Sequence, residues 1–166
     1  MENNSTLKNA KLENAMGALN ITLGVVLYVD GILLGIVAFF CLLMSFSLFF
    51  MAAIPAFLVT LFVCIVAFGA GTVNLITGIG AAVASNRSGK ISWILSIVTM
   101  VVDIAVIPAN VFALFCAVYL LAVEISALAI FVFIVAALAI ILATVSLILG
   151  IIRVVRHNPK PKTDGQ

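Results

Sequence analysis

Two aspartates interrupt long apolar runs. Asp30 stands in GVVLYVDGILLG and Asp103 in SIVTMVVDIAVIP. A carboxylate near the middle of a bilayer costs about 2.5–3.5 kcal/mol on insertion scales, so such a residue needs a bundle interior, a cavity or a partner. Asn74 and Ser146 lie before the ends of the second and fourth apolar runs. With a rise of about 1.5 Å per helical residue, the four fall at comparable depth. The spacing therefore predicts an intramembrane polar layer of Asp30, Asn74, Asp103 and Ser146. The chemistry open to that layer is the binding of a proton or a cation. Three other roles stay open for the aspartates: a place near the interface, on helices longer than the membrane; hydrogen-bonded packing; or docking of a partner's basic side chain.

Other chemistry is thinly represented. The sole histidine, His157, is in the C-terminal tail, so no nucleophile, base and orienting group come together in sequence. The GAG of 69–71 and the GIG of 78–80 lie inside an apolar run, with no strand before them and no phosphate-loop lysine after them, and they read as packing glycines. Cys41, Cys64 and Cys116 also lie in apolar runs without metal-ligand spacing, and read as small packing residues. The expectation is a protein that is not an enzyme, with no cofactor and no metal.

The elements that must carry these residues follow from composition. Hydrophobic residues make up 66% of the 166 and charged residues 8%, and mean hydropathy is +1.41. A soluble domain has about 25% charged residues. So little polar surface cannot cover a globule in water, and lipid is the expected solvent. The net charge of +2 is too small to suggest nucleic acid as a partner.

The predicted fold class is all-α: a polytopic membrane protein of four transmembrane helices, arranged as two tandem helical hairpins. The polar stretch 1–16 reads as a frayed cytosolic lead, without the apolar core and cleavage site of a signal peptide. The transmembrane domain spans 17–152, with spans at about 18–50, 56–84, 91–122 and 126–152. The Asp30-Gly31 pair marks a possible boundary in the long first run between an interfacial segment and the span. The turn from Ser45 to Pro55 carries no charge, and Pro55 suits a helix start. Trp93 fits the headgroup region, and Pro108 predicts a kink in the third span. The stretch 153–166 reads as a basic cytosolic tail.

Small residues mark the expected helix contacts. Gly31 with Gly35, Gly78 with Ala82, Ala139 with Ala143, and Ser146 with Gly150 are each four apart, and Gly71 follows Ala67 at the same spacing. In lipid such pairs let helix backbones approach closely.

Charge predicts topology. All eight Lys and Arg residues fall in the lead, in the loop Ser85–Lys90 or in the tail, and the other two turns have none. With an even number of spans those three segments share a side, and the positive-inside rule makes it the cytosol. The sequons at Asn20 and Asn86 would then be silent.

The two halves look alike. Val29-Asp30 and Val102-Asp103 are 73 positions apart, and TVNLITGI of 72–79 resembles TVSLILGI of 144–151. A duplicated hairpin and chance likeness within a small alphabet both account for this. VNLITGIGAAVASNRSGKISWILSIV and LILGIIRVVRHNPK resemble small uncharacterised four-span bacterial membrane proteins built from two Gly/Ile-rich hairpins. The resemblance implies a multi-pass protein of the bacterial inner membrane and no particular activity. Rotary-ATPase proteolipids also pair hairpins with buried carboxylates, but on the second helix of each hairpin, the reverse of the order here.

Two functions follow as expectations. One is a non-catalytic accessory or structural subunit acting through helix packing in the lipid bilayer, with itself as a homo-oligomer or with a membrane-protein partner. The alternative is a small proton- or cation-coupled transporter or channel using Asp30 and Asp103.

Overall fold

A computed structural model describes residues 2–45, 53–84, 89–122 and 126–156. They form four helices: α1 Glu2–Ser45, α2 Ala53–Ala84, α3 Gly89–Ala122 and α4 Ser126–Arg156. No strand occurs among the described residues. Each helix is long and apolar enough to cross a membrane, the apolar segments being Lys11–Leu43, Ala56–Val83, Trp93–Val118 and Ala127–Val155. The chain is thus an all-α four-helix membrane protein. At about 1.5 Å per residue, even the shortest helix, the 31-residue α4, exceeds a ~30 Å hydrocarbon core.

Helix boundaries differ from the sequence reading at both ends. Residues 2–16, expected to fray, belong to α1, which runs unbroken through Asp30-Gly31. α4 continues past residue 152 to Arg156. The backbone hydrogen bonds of a helix extend readily from an apolar run into polar flanks when those flanks also find tertiary partners, as Glu13 and Arg153 do here. α3 passes through Pro108 without interruption. Of the turn expected over 45–55 and the loop expected over 85–90, Ser45, residues 53–55 and residues 89–90 belong to helices, and 46–52, 85–88, 123–125 and His157 lie outside the described residues.

Each helix packs against the next in sequence, and α1 also packs against α4, so the bundle closes as a ring of four antiparallel neighbours. Along α3, buried positions run from Ser96 to Leu120 in alternating steps of three and four; along α4 they do the same from Ala129 to Arg153. This is the seam of a left-handed bundle with a seven-residue repeat. Alanines fill much of it: Ala113, Ala117, Ala129, Ala136, Ala139 and Ala143 are all fully buried. The outward faces carry large apolar side chains such as Phe62, Ile76, Phe115 and Phe131.

The α1–α2 contact is closer still, because it is built on glycine. Gly17 faces Gly78, and Gly24 faces Gly71, each pair reciprocally. A Cβ added to Gly78 would stand 2.9 Å from the Gly17 carbonyl oxygen, and one on Gly24 would stand 3.0 Å from that of Gly71. Such spacing places each Cα–H against the opposite carbonyl, a weak but additive attraction in lipid. Gly31 continues the seven-residue series on α1 and seats the Phe68 ring.

The small-residue expectations are met unevenly. Ala139, Ala143 and Gly150 are buried in the bundle seam, and Gly150 lies against Met100. Gly35 is half-buried, with only the Cys64 sulfur near its would-be Cβ. Ala82 is exposed, and Ala81 beside it is buried. Spacing of four identifies a helix face only roughly; which of two adjacent alanines turns inward is set by the seven-residue phase that begins at Gly71 and Gly78.

Candidate intramembrane polar site

Lipid offers no hydrogen bonds, so each polar side chain in a span must find a partner within the protein. The threonines do so locally. Thr22, Thr72 and Thr144 face outward and donate to the carbonyls of Ala18, Phe68 and Ile140, four residues earlier. Thr60, Thr77 and Thr99 face inward and do the same with Ala56, Val73 and Leu95. Thr72 also meets the Tyr28 hydroxyl at 2.7 Å.

Apart from Asp30 and Asn110, the larger buried polar groups gather in the half of the bundle nearer the chain termini. Asp103 is fully buried on α3. Its Oδ1 accepts from Asn74 Nδ2 of α2 at 3.4 Å, and Ser146 of α4 also interacts with its carboxyl. The Ser146 hydroxyl donates to Asn20 Oδ1 of α1 at 3.0 Å. All four helices thus supply one polar layer: Asn20, Asn74, Asp103 and Ser146. Thr77, buried on α2, donates to the backbone oxygens of Val73 and Asn74. Two atoms of the layer, Asp103 Oδ2 and Asn74 Oδ1, are buried without a hydrogen-bond partner.

Three residues of the predicted layer are therefore brought together, and Asp30 is not among them. Asp30 is fully buried with both carboxylate oxygens unpartnered. Its electrostatic neighbours are the Cys64 and Cys116 thiols, and Cys64 itself donates to the Gly31 carbonyl at 3.1 Å. Asp30 lies ten residues beyond Asn20 on α1, or about 15 Å along the axis. The reason is packing register. Ser146 contacts both Asn20 and Asp103, and Arg153 contacts both Glu13 and Ser96; each pair is 83 positions apart. The 73-residue spacing of the two Val-Asp pairs therefore does not put them at the same level.

The layer is closed toward the chain termini by an ion pair. Arg153 Nη2 lies 2.6 Å from Glu13 Oε1, and Arg153 Nη1 donates to Ser96 Oγ at 3.1 Å. Arg153 is 7% exposed. Sequence reasoning missed Asn20, Glu13 and Arg153. Asn20 was visible only as a sequon, and the other two lay in stretches assigned to solvent. The available signal was phase: Glu13, Met16, Asn20, Leu23, Leu27 and Asp30 follow steps of three and four.

Among the described residues no three His, Cys, Asp or Glu side chains converge as metal ligands. A pocket of about 230 Å³ opens between α1, α2 and α3, lined by Val37, Cys41, Ala56, Thr60, Phe112, Phe115 and Cys116. It touches neither aspartate. Neither a family model, nor a curated protein, nor a solved structure matches this chain.

Proposed function

We propose that the chain is a non-catalytic integral membrane protein, an accessory or structural subunit that works by helix packing with itself or with a membrane-protein partner. The observation that carries this reading is the close helix packing through small residues, alanine between α3 and α4 and glycine between α1 and α2. Both aspartates are fully buried, and the pocket beside α1, α2 and α3 is lined by other residues. A carrier needs its ion-binding carboxylate to meet water from each side in turn, and a closed seam of alanine and glycine supports a scaffold instead. The bilayer is the inner membrane, with both termini and the central loop in the cytosol, as the basic residues of those three segments indicate.

The test is purification in mild detergent from its native membrane, with mass measurement of the intact particle and identification of co-purifying chains. A stoichiometric companion or a defined homo-oligomer is expected. A lone monomer that conducts ions in reconstituted vesicles would overturn the proposal.

A second reading, a small proton- or cation-coupled transporter or channel, is favoured by one observation: the polar layer around Asp103 holds oxygen atoms with no partner. The same vesicles, loaded with a pH- or sodium-sensitive dye, separate the two readings.

A further inference from the structure

We infer that the layer formed by Asn20, Asn74, Asp103 and Ser146 binds a single alkali-metal cation. The inference goes beyond the packing role and holds whether the chain acts alone or as a subunit.

The first ground is uncompensated charge. Asp103 is fully buried, with no solvent exposure. A carboxylate there calls for a positive charge nearby. The buried basic side chain closest in sequence to the layer is Arg153, seven residues past Ser146 and about 10 Å further along α4. It is held by Glu13 and Ser96 instead.

The second ground is the ligand set. Asp103 Oδ2 and Asn74 Oδ1 are buried oxygens on adjacent helices, and neither has a hydrogen-bond donor. They belong to side chains already joined by the 3.4 Å contact between Asn74 Nδ2 and Asp103 Oδ1. The Ser146 hydroxyl spends its proton on Asn20 Oδ1. Its lone pairs are left as acceptors, the form in which a hydroxyl ligates a cation. The result is one formal negative charge with neutral oxygens from amides and a hydroxyl. That set suits a hard monovalent ion; divalent ions bind in sites richer in carboxylates.

The third ground is contrast with Asp30. Its carboxylate is equally buried, but its electrostatic neighbours are the Cys64 and Cys116 thiols and neither of its oxygens is hydrogen-bonded. The two aspartates share a sequence context, yet only Asp103 is hydrogen-bonded to a side chain of another helix.

The experiment uses the full chain in detergent at constant ionic strength and pH. Melting is followed in sodium, lithium, potassium or choline chloride, and ²³Na line broadening is measured on the unmodified protein. The expected result is a saturable rise in melting temperature with at least one alkali cation relative to choline, because a ligand that binds only the folded state stabilises it. Asp103→Asn should abolish that rise, Asp30→Asn should keep it, and Ser146→Ala should shift its midpoint to higher cation concentration. Should Asp103→Asn fail to fold, competition of the ²³Na signal by lithium on the unmodified chain, and its weakening in Ser146→Ala, decide the matter. Equal melting in all four salts, with no ²³Na broadening, overturns the inference. So does a response to pH alone, which would assign the site to a proton.

Discussion

Arg153 of α4 reaches Glu13 of α1 at 2.6 Å, across 140 positions of sequence. The pair ties the last helix to the first and, through Ser96, to the third. It sits where the apolar bundle gives way to the polar flanks of the chain, with the two side chains 8% and 19% exposed. A pair so enclosed is strongly coupled, because removing one member strands the other away from water.

Arg153→Met or Glu13→Gln alone should each destabilise the bundle, by up to about 3–5 kcal/mol for the arginine's loss of its partner. The double variant should recover part of that loss. Melting of the four proteins of this cycle in one detergent measures the coupling; strictly additive losses would show the contact to be incidental.

The glycine seam gives a paired expectation. Gly78→Ala pushes a methyl to within 2.9 Å of the Gly17 carbonyl and the Ile21 amide nitrogen, both backbone atoms. It should cost about 1–3 kcal/mol, the range for overpacking a filled interior. Gly69→Ala meets nothing within 4 Å and should be neutral or gain up to about 1 kcal/mol from helix propensity. Membrane insertion should be unaffected in both. Thermal melts that rank the two the other way would displace Gly78 from the contact.

Asp30 is buried without a donor for either oxygen. Replacing an unsatisfied polar group with an apolar one of similar size is neutral or stabilising. Asp30→Val should therefore hold or raise the melting temperature, and Asp103→Val should lower it by leaving Asn74 Nδ2 with the Ala70 carbonyl alone and disturbing Ser146. A marked loss in Asp30→Val would point to a partner for this carboxylate that the isolated chain lacks. Measured vesicle fluxes for the same variants connect this result to the transport reading.

Topology is checked by labelling. Single cysteines at 87 and 160, in a background lacking Cys41, Cys64 and Cys116, should react with an impermeant maleimide only after the inner membrane is opened. A cysteine at residue 50 should react in intact spheroplasts. Labelling of position 87 from outside would reverse the orientation.

Much of this architecture was legible in the sequence. Four apolar stretches separated by short breaks require four helices, because in lipid a lone segment satisfies its backbone only by coiling on itself. The contact of Asp103 with Asn74 and Ser146 was also foreseeable, since those residues approach one end of the bundle from α2 and α4 as Asp103 does from α3. Insertion energy is a sum over single residues, so composition and run length decide it.

The register of one helix against another has no such additive source. It is set by pairs: Gly17 with Gly78, Gly24 with Gly71, Asn20 with Ser146, Glu13 with Arg153. Their energies depend on the shapes and distances of groups far apart in the chain. Counting from the ends of apolar runs therefore put Asp30 level with Asp103, and the packed bundle separates them by three steps of the seam. The same pairs draw Glu13 and Arg153 out of stretches that hydropathy assigns to water, because a charge with an enclosed partner no longer needs it. The sequence alone determined that four helices enter the membrane; only the tertiary packing decided which aspartate is hydrogen-bonded to another helix and which has no hydrogen-bond partner.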